Sequence, residues 1–357
     1  MNLNNIKQMK NLDPGRVADS IGLLSEQIKD TMKQAESLKF PPAYKKIDRV
    51  VVNGMGGSNL GARIVASVFK DEAKVPILIE PGYLVPAYVD QNTLYIISSY
   101  SGNTEEPLST FAEAKKRGAK ITGITEKSQK NKLAEIFKKE KLPIFVFDPR
   151  KNPSNQPRLG VGYAIFALLA VLARSGVIKI DQREVTRIID SLKKNNFQLD
   201  LSVIDRKNLA KQIAQKIHGK EIILVGAEFL AGNLHALRNQ FNETAKNFAA
   251  YLVLPDLNHY ALEGLAHPAS NKKDLIFIFF ASDLYHPRLK KRLRLTEEIA
   301  RKNKIAALEV KLESQARLGA AAELLQLGSW LTFYLALLNK INPAEVKWVD
   351  WFKKKLA

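Results

Sequence analysis

A chain of 357 residues is longer than one ordinary domain, and 46% hydrophobic with 25% charged residues is the balance of a globular protein able to bury real cores. It has no cysteine, which excludes disulfides and thiolate zinc sites. The formal charge of +19 favours anionic partners, yet no helix-turn-helix signature, zinc-finger spacing or aromatic RNA-binding motif accompanies it, so no nucleic-acid partner is expected.

Met1 to Ser20 is polar and charged, with no apolar signal region, so a cytoplasmic protein is expected. Arg16 to Leu38 has helical apolar spacing behind an Asp13-Pro14 start signal. Val50-Val51-Val52 reads as a short buried strand that gives way, through glycines, to a helix from Leu60 to Phe69. Ile77-Leu78-Ile79 is strand-like. Leu94 to Ser98 is another strand, followed by Ser101-Gly102-Asn103-Thr104 and a helix to Lys116. Ile121 to Thr125 and Ile144 to Phe147 predict two more strands with a helix between them. Short apolar runs alternating with helices predict a parallel sheet covered on both faces. The apolar run Leu159 to Ala173 contains Gly160 and Gly162 and is too short to span a bilayer, so it reads as a core helix and no membrane partner is expected.

The second half repeats the scheme. Helical patterns surround Val185 to Leu192 and Leu209 to Ile217, and Ile222 to Val225 is a buried strand ending in Gly226. Leu275 to Phe280 and Ile305 to Val310 are strand-like, and Ala316 to Leu338 is a long apolar helix. The basic run Arg288, Lys290, Lys291, Arg292, Arg294 lies on a helix and reads as a solvated face. The boundary falls near Ser175 to Asp181, which gives domains 1–177 and 178–357 built on one duplicated α/β module.

Two loops carry the first functional signal. Asn53-Gly54-Met55-Gly56-Gly57-Ser58-Asn59-Leu60-Gly61 joins a strand to a helix. Its glycines let the backbone approach an anion, the helix start presents free N–H groups, and Ser58 adds a hydroxyl. A tight strand-to-helix turn is the plainer alternative. A dinucleotide fingerprint does not fit, because Asn59 occupies the position of the third glycine, and a Walker A loop lacks its Gly-Lys-Ser/Thr. Ser98-Ser99-Tyr100-Ser101-Gly102-Asn103-Thr104-Glu105-Glu106 is the second loop. N-capping by Ser101 or Asn103 would need one such residue, and the cluster of hydroxyls exceeds that. Ligands of open α/β sheets bind at the carboxyl ends of the strands, where both loops lie. Such a pair suits a phosphate monoester.

On these residues the chain resembles the bifunctional phosphoglucose/phosphomannose isomerase family, whose members carry paired sugar isomerase (SIS) modules. The resemblance implies an α/β fold of two SIS domains, each a parallel sheet flanked by helices. It also implies that Gly57, Ser58, Ser99, Ser101 and Thr104 hold the phosphate of a hexose 6-phosphate. Aldose–ketose isomerisation opens the sugar ring, moves a proton between adjacent carbons and stabilises an enediolate. No metal and no cofactor is required. Arg238 to Lys246 resembles the family segment carrying the base, with Thr244 replacing its second Asn, and implies Glu243 as that base. Leu254-Pro255-Asp256-Leu257-Asn258-His259 resembles the ring-opening segment, and implies a homodimer in which His259 crosses the interface. Tyr260-Ala261-Leu262 departs from the family's more polar continuation.

Gln156-Pro157-Arg158-Leu159-Gly160 resembles the segment whose Arg faces the enediolate, and Val346 to Lys353 the C-terminal segment whose Lys assists ring chemistry. Lys354 and Lys355 follow Lys353 directly and leave the register open. The family commonly has a Thr ahead of that Lys. Asn342-Pro343-Ala344-Glu345-Val346 has none, so mannose 6-phosphate is expected to be a poorer substrate than glucose 6-phosphate, unless Ala344 merely enlarges the pocket. The competing functions are a non-catalytic SIS sensor of a sugar phosphate and another SIS isomerase such as an amino-sugar enzyme. A sensor needs neither Glu243 nor His259.

Overall fold

The computed structural model describes residues 1–356. The chain forms two compact units, one of Leu23–Asp190 and one of Met1–Gly22 together with Ser191–Ala357. The expected boundary near Ser175 to Asp181 falls just ahead of the helix Gln182–Leu199, which contains the observed division.

The unit Leu23–Asp190 is built on five parallel strands: β1 (Arg49–Gly54), β2 (Ile77–Ile79), β3 (Thr93–Ser98), β4 (Lys120–Glu126) and β5 (Ile144–Phe147), in the order β2-β1-β3-β4-β5. Val50 to Val52 and Leu94 to Ile97 are almost fully buried, as central strands covered on both faces must be. The register pairs Gly54 with Ser98, so the two glycine- and serine-rich loops leave the sheet side by side. The helix Gly56–Val68 follows β1, and the helix Val161–Arg174 is buried along nearly its whole length. Buried Gln27 fastens the start of the latter. Its Nε2 donates to the carbonyls of Leu159 (2.9 Å) and Lys151 (3.1 Å), and its Oε1 accepts from Gly162 N–H (3.2 Å).

The other unit carries β6 (Glu221–Ala227), β7 (Ala249–Leu254), β8 (Leu275–Ser282) and β9 (Ala306–Leu312), all parallel, in the order β7-β6-β8-β9. This is the order of the first sheet without its fifth strand, and so the duplication is visible in topology. Strand β7 was not foreseen. Ala249 to Leu254 lies between two motifs and becomes a strand only by pairing with β6.

The helix Arg317–Leu338 is the one helix among the described residues long and apolar enough to cross a membrane, and 89% of its most apolar window is buried inside the protein. Hydrogen bonds from Gln326 to Leu192 O, Trp330 to Asn196 Oδ1 and Tyr334 to Leu199 O tie it to residues 191–199. Lys211 is one of the ties that bring the first 22 residues here, beside the Asp205 N–H that donates to Asn4 Oδ1 at 2.8 Å. The buried Lys211 ammonium donates to the carbonyls of Leu3 (2.7 Å), Leu201 (3.1 Å) and Val203 (2.7 Å), and it lies 5.2 Å from the Tyr334 ring centroid.

Candidate active site

In the unit Leu23–Asp190 the hydroxyl loops form one bonded cluster. Ser58 is buried, and its Oγ accepts the Tyr100 N–H at 3.0 Å. That leaves the Ser58 proton to donate elsewhere. Ser99 Oγ accepts from Thr104 N–H (3.3 Å) and lies 2.8 Å from Thr104 Oγ1. When Ser99 donates to Thr104, the Thr104 proton is likewise left for an acceptor outside the pair. Ser101 Oγ accepts from Asn103 N–H at 3.3 Å and is half-buried. N-capping does not account for these hydroxyls. Thr104 holds the cap position of the helix Glu105–Ser109 and makes no side-chain capping bond.

Two glycines are required by this geometry. Gly102 has φ +71°, and a Cβ there would stand 1.9 Å from Asn131 Oδ1. A Cβ on Gly57 would stand 2.8 Å from Pro157 O and 3.3 Å from Arg158 N, so the first turn of the helix Gly56–Val68 lies against the Pro157–Leu159 turn. Arg158 is 5% exposed, and its Nη1 donates to Gln156 Oε1 at 2.8 Å. Gly57 and Ser58 at the start of the helix Gly56–Val68 thus lie beside the backbone of Arg158, and Ser58 is bonded to the loop whose Ser99 and Thr104 precede the helix Glu105–Ser109. The phenol of Tyr100 accepts from Asn152 Nδ2 at 3.0 Å, and burial pushes its pKa up, which keeps it neutral.

The other unit holds Glu243, His259 and Lys353. Glu243 is the last residue of the helix Ala231–Glu243 and is half-buried. It lines an open cleft of about 440 Å³ with Arg238, Asn239, Asn242 and the segment 248–251. Asn242 holds this helix end to β7, donating to Arg238 O (2.8 Å) and Ala249 O (3.1 Å). The Arg238 guanidinium lies 5.5 Å from the Tyr251 ring centroid and within 3.1 Å of His235 Nδ1. His259 ends the short turn Asp256–His259 beyond β7 and is exposed. Lys353 lies on the exposed helix Lys347–Leu356, with Lys354 and Lys355 exposed beside it.

Two family models match the chain, the SIS domain over residues 43–137 and the bacterial phospho-glucose isomerase C-terminal SIS domain over residues 206–356. The chain is 31% identical, over 348 residues, to a bifunctional phosphoglucose/phosphomannose isomerase from Caldicellulosiruptor bescii, covering 95% of this chain and 98% of that protein. It belongs to the bifunctional phosphoglucose/phosphomannose isomerase family.

A relative of the same name from Thermoplasma volcanium is 29% identical over 90% of this chain and 96% of its own length. A solved structure of a hypothetical protein from Thermus thermophilus matches with a TM-score of 0.75, covering 98% of this chain and 94% of that one. At 17% identity it supports the fold alone. The chain is therefore an isomerase of two SIS modules. Reading the family motifs in sequence missed Arg238 and Tyr251, which share the cleft with Glu243. Arg238 lies five positions before Glu243 in the same segment, but its helical placement alone did not mark it. Tyr251 became legible only once β7 was in place.

Proposed function

We propose that this chain interconverts glucose 6-phosphate, and less efficiently mannose 6-phosphate, with fructose 6-phosphate. The loops of Gly57, Ser58, Ser99, Ser101 and Thr104 hold the 6-phosphate by hydroxyls and helix-start N–H groups. His259 and Lys353 assist ring opening. Glu243 takes the proton from C2 and returns it to C1, while the hydroxyl proton passes from O2 to O1, so that the C2 hydroxyl becomes the ketone and the C1 carbonyl becomes the alcohol. The enediolate formed between those steps carries one negative charge, which the Arg158 guanidinium balances. No step calls for a metal or a cofactor. The observation that carries the reading is Glu243, a carboxylate fixed at a helix end and opening onto a cleft, which a sugar-phosphate sensor would not need.

The assay is formation of fructose 6-phosphate from each hexose phosphate, with and without a chelator. The expected result is turnover unaffected by chelation. No turnover of either sugar overturns the reading, and loss on chelation overturns its metal independence. The same reading has the enzyme act as a cytoplasmic homodimer in glycolysis and gluconeogenesis, with His259 given to the partner's site. Mixing His259→Ala with Glu243→Gln protein then restores activity, because each hybrid dimer has one site with both residues intact. Exchange of subunits without recovery refutes the shared site.

A further inference from the structure

The turn that carries His259 is stapled to a helix by a closed ring of hydrogen bonds. Asn258 is the residue immediately before His259. Its Nδ2 donates to Thr296 Oγ1 at 2.8 Å, and its Oδ1 accepts from Arg292 Nη1 at 3.0 Å. Thr296 is 1% exposed, and its hydroxyl proton is committed to Arg292 O at 2.8 Å. The ring therefore begins and ends on Arg292, and both other members lie on or face the helix Pro287–Lys302.

The chemistry of the donors fixes the direction of every bond. A guanidinium only donates, so the Asn258 oxygen must face Arg292 and its NH2 must face Thr296. Because the Thr296 hydroxyl gives its proton to a carbonyl one turn back, only its lone pairs remain for Asn258. Both ends of the Asn258 amide are satisfied, and the side chain has one orientation instead of two. The backbone of the turn is closed as well, with Asn258 N–H donating to Pro255 O (3.1 Å) and Ala261 N–H to Leu257 O (2.9 Å), while Leu257 is 1% exposed. His259 itself has an exposed ring, so the turn beneath it is what holds its Cα–Cβ direction.

We infer that Thr296 and Arg292 are positioning residues for His259, acting through Asn258. This rests on the proposed role of His259 in ring opening. A histidine that moves protons at a sugar oxygen must be held in register with it, and a misplacement of about 1 Å costs on the order of 100-fold in rate. The ring lets residues of a helix, a rigid element, set the aim of a residue on a turn. It also assigns a use to one of the basic residues on that helix, whose run reads in sequence as a solvated face.

The test is Thr296→Val, which keeps the shape and deletes both bonds, with Thr296→Ser as the conservative rescue and Arg292→Leu as a second break in the ring. With hexose 6-phosphate as substrate, Thr296→Val and Arg292→Leu are expected to lose roughly 10- to 100-fold in kcat, with KM within about two-fold of wild type. Thr296→Ser is expected to recover most of kcat. Circular dichroism and thermal melting select folded protein, and Arg292→Leu keeps the question answerable if Thr296→Val unfolds. A kcat unchanged in either folded variant, a loss confined to KM, or a Thr296→Ser enzyme no better than Thr296→Val overturns the positioning role. Wild-type protein with no isomerase activity overturns the functional reading itself, and this inference with it.

Discussion

The two sheets have the same strand order, but their equivalent loops are used in opposite ways. After β1 and β3, Ser58 Oγ accepts the N–H of Tyr100, and of the bonded Ser99–Thr104 pair one hydroxyl keeps its proton for an outside acceptor. After β6 and β8, the two loops are bonded through a carboxylate, with Glu228 Oε2 accepting the N–H of His286 at 3.1 Å. The phenol of Tyr285 accepts the Ala227 N–H at 3.1 Å, and its own pKa is pushed up by burial. An anion placed there would meet a negative charge and an occupied N–H group. In the proposed reading, one module keeps its cradle open for phosphate, while the other fills the equivalent place with its own side chains and carries Glu243 at the end of the helix Ala231–Glu243 and His259 beyond β7. Duplication of a fold need not duplicate its site, because a carboxylate in a loop repels an anion where hydroxyls and free N–H groups attract one.

The largest test of this comparison is Glu243→Gln. The substitution keeps shape and removes the base, so kcat should fall on the order of 10² to 10⁴. Competition by inorganic phosphate against substrate binding should stay at the wild-type level, because the cradle belongs to the other module. Full activity in a folded variant would end the assignment. Next is the double change Ser101→Ala and Thr104→Ala. At about 0.5–1.5 kcal/mol for each neutral hydrogen bond, and more to a charged phosphate, KM should rise several-fold or more. An unchanged KM would mean that these hydroxyls do not touch the phosphate.

A smaller effect concerns the epimers. Ala344 is buried against Gly15 and brings no hydroxyl to its segment. We expect kcat/KM for mannose 6-phosphate to fall below that for glucose 6-phosphate by roughly 1 kcal/mol, about five-fold. Parallel measurement of both decides it, and equal efficiencies would show that the hydroxyl is dispensable. The smallest expected effect is that of Glu228→Gln. If the second cradle binds no substrate phosphate, KM is unchanged within experimental error. A tighter KM in this variant would show that the second module does meet the substrate.

Much of the first module was legible because its signals are local. Val50 to Val52, Ile77 to Ile79 and Leu94 to Ser98 are short apolar runs, and the loops between them carry glycines and hydroxyls in consecutive positions. A strand-to-helix loop acts through neighbours in sequence, and so its chemistry can be read in order. The motifs around Glu243 and His259 were likewise contiguous enough to place the family. What the sequence could not give is every feature that depends on residues far apart. Strand β7 exists by pairing with β6. Residues 1–22 join the second unit through distant partners, among them Lys211 bonding Leu3 O and Asp205 N–H donating to Asn4 Oδ1, and Asn258 meets Thr296 across 38 positions. Hydrophobic period and loop composition are properties of adjacent residues. The satisfaction of a buried ammonium, an amide or a strand edge is set by whichever partner the folded chain brings to it, and only the tertiary structure names that partner.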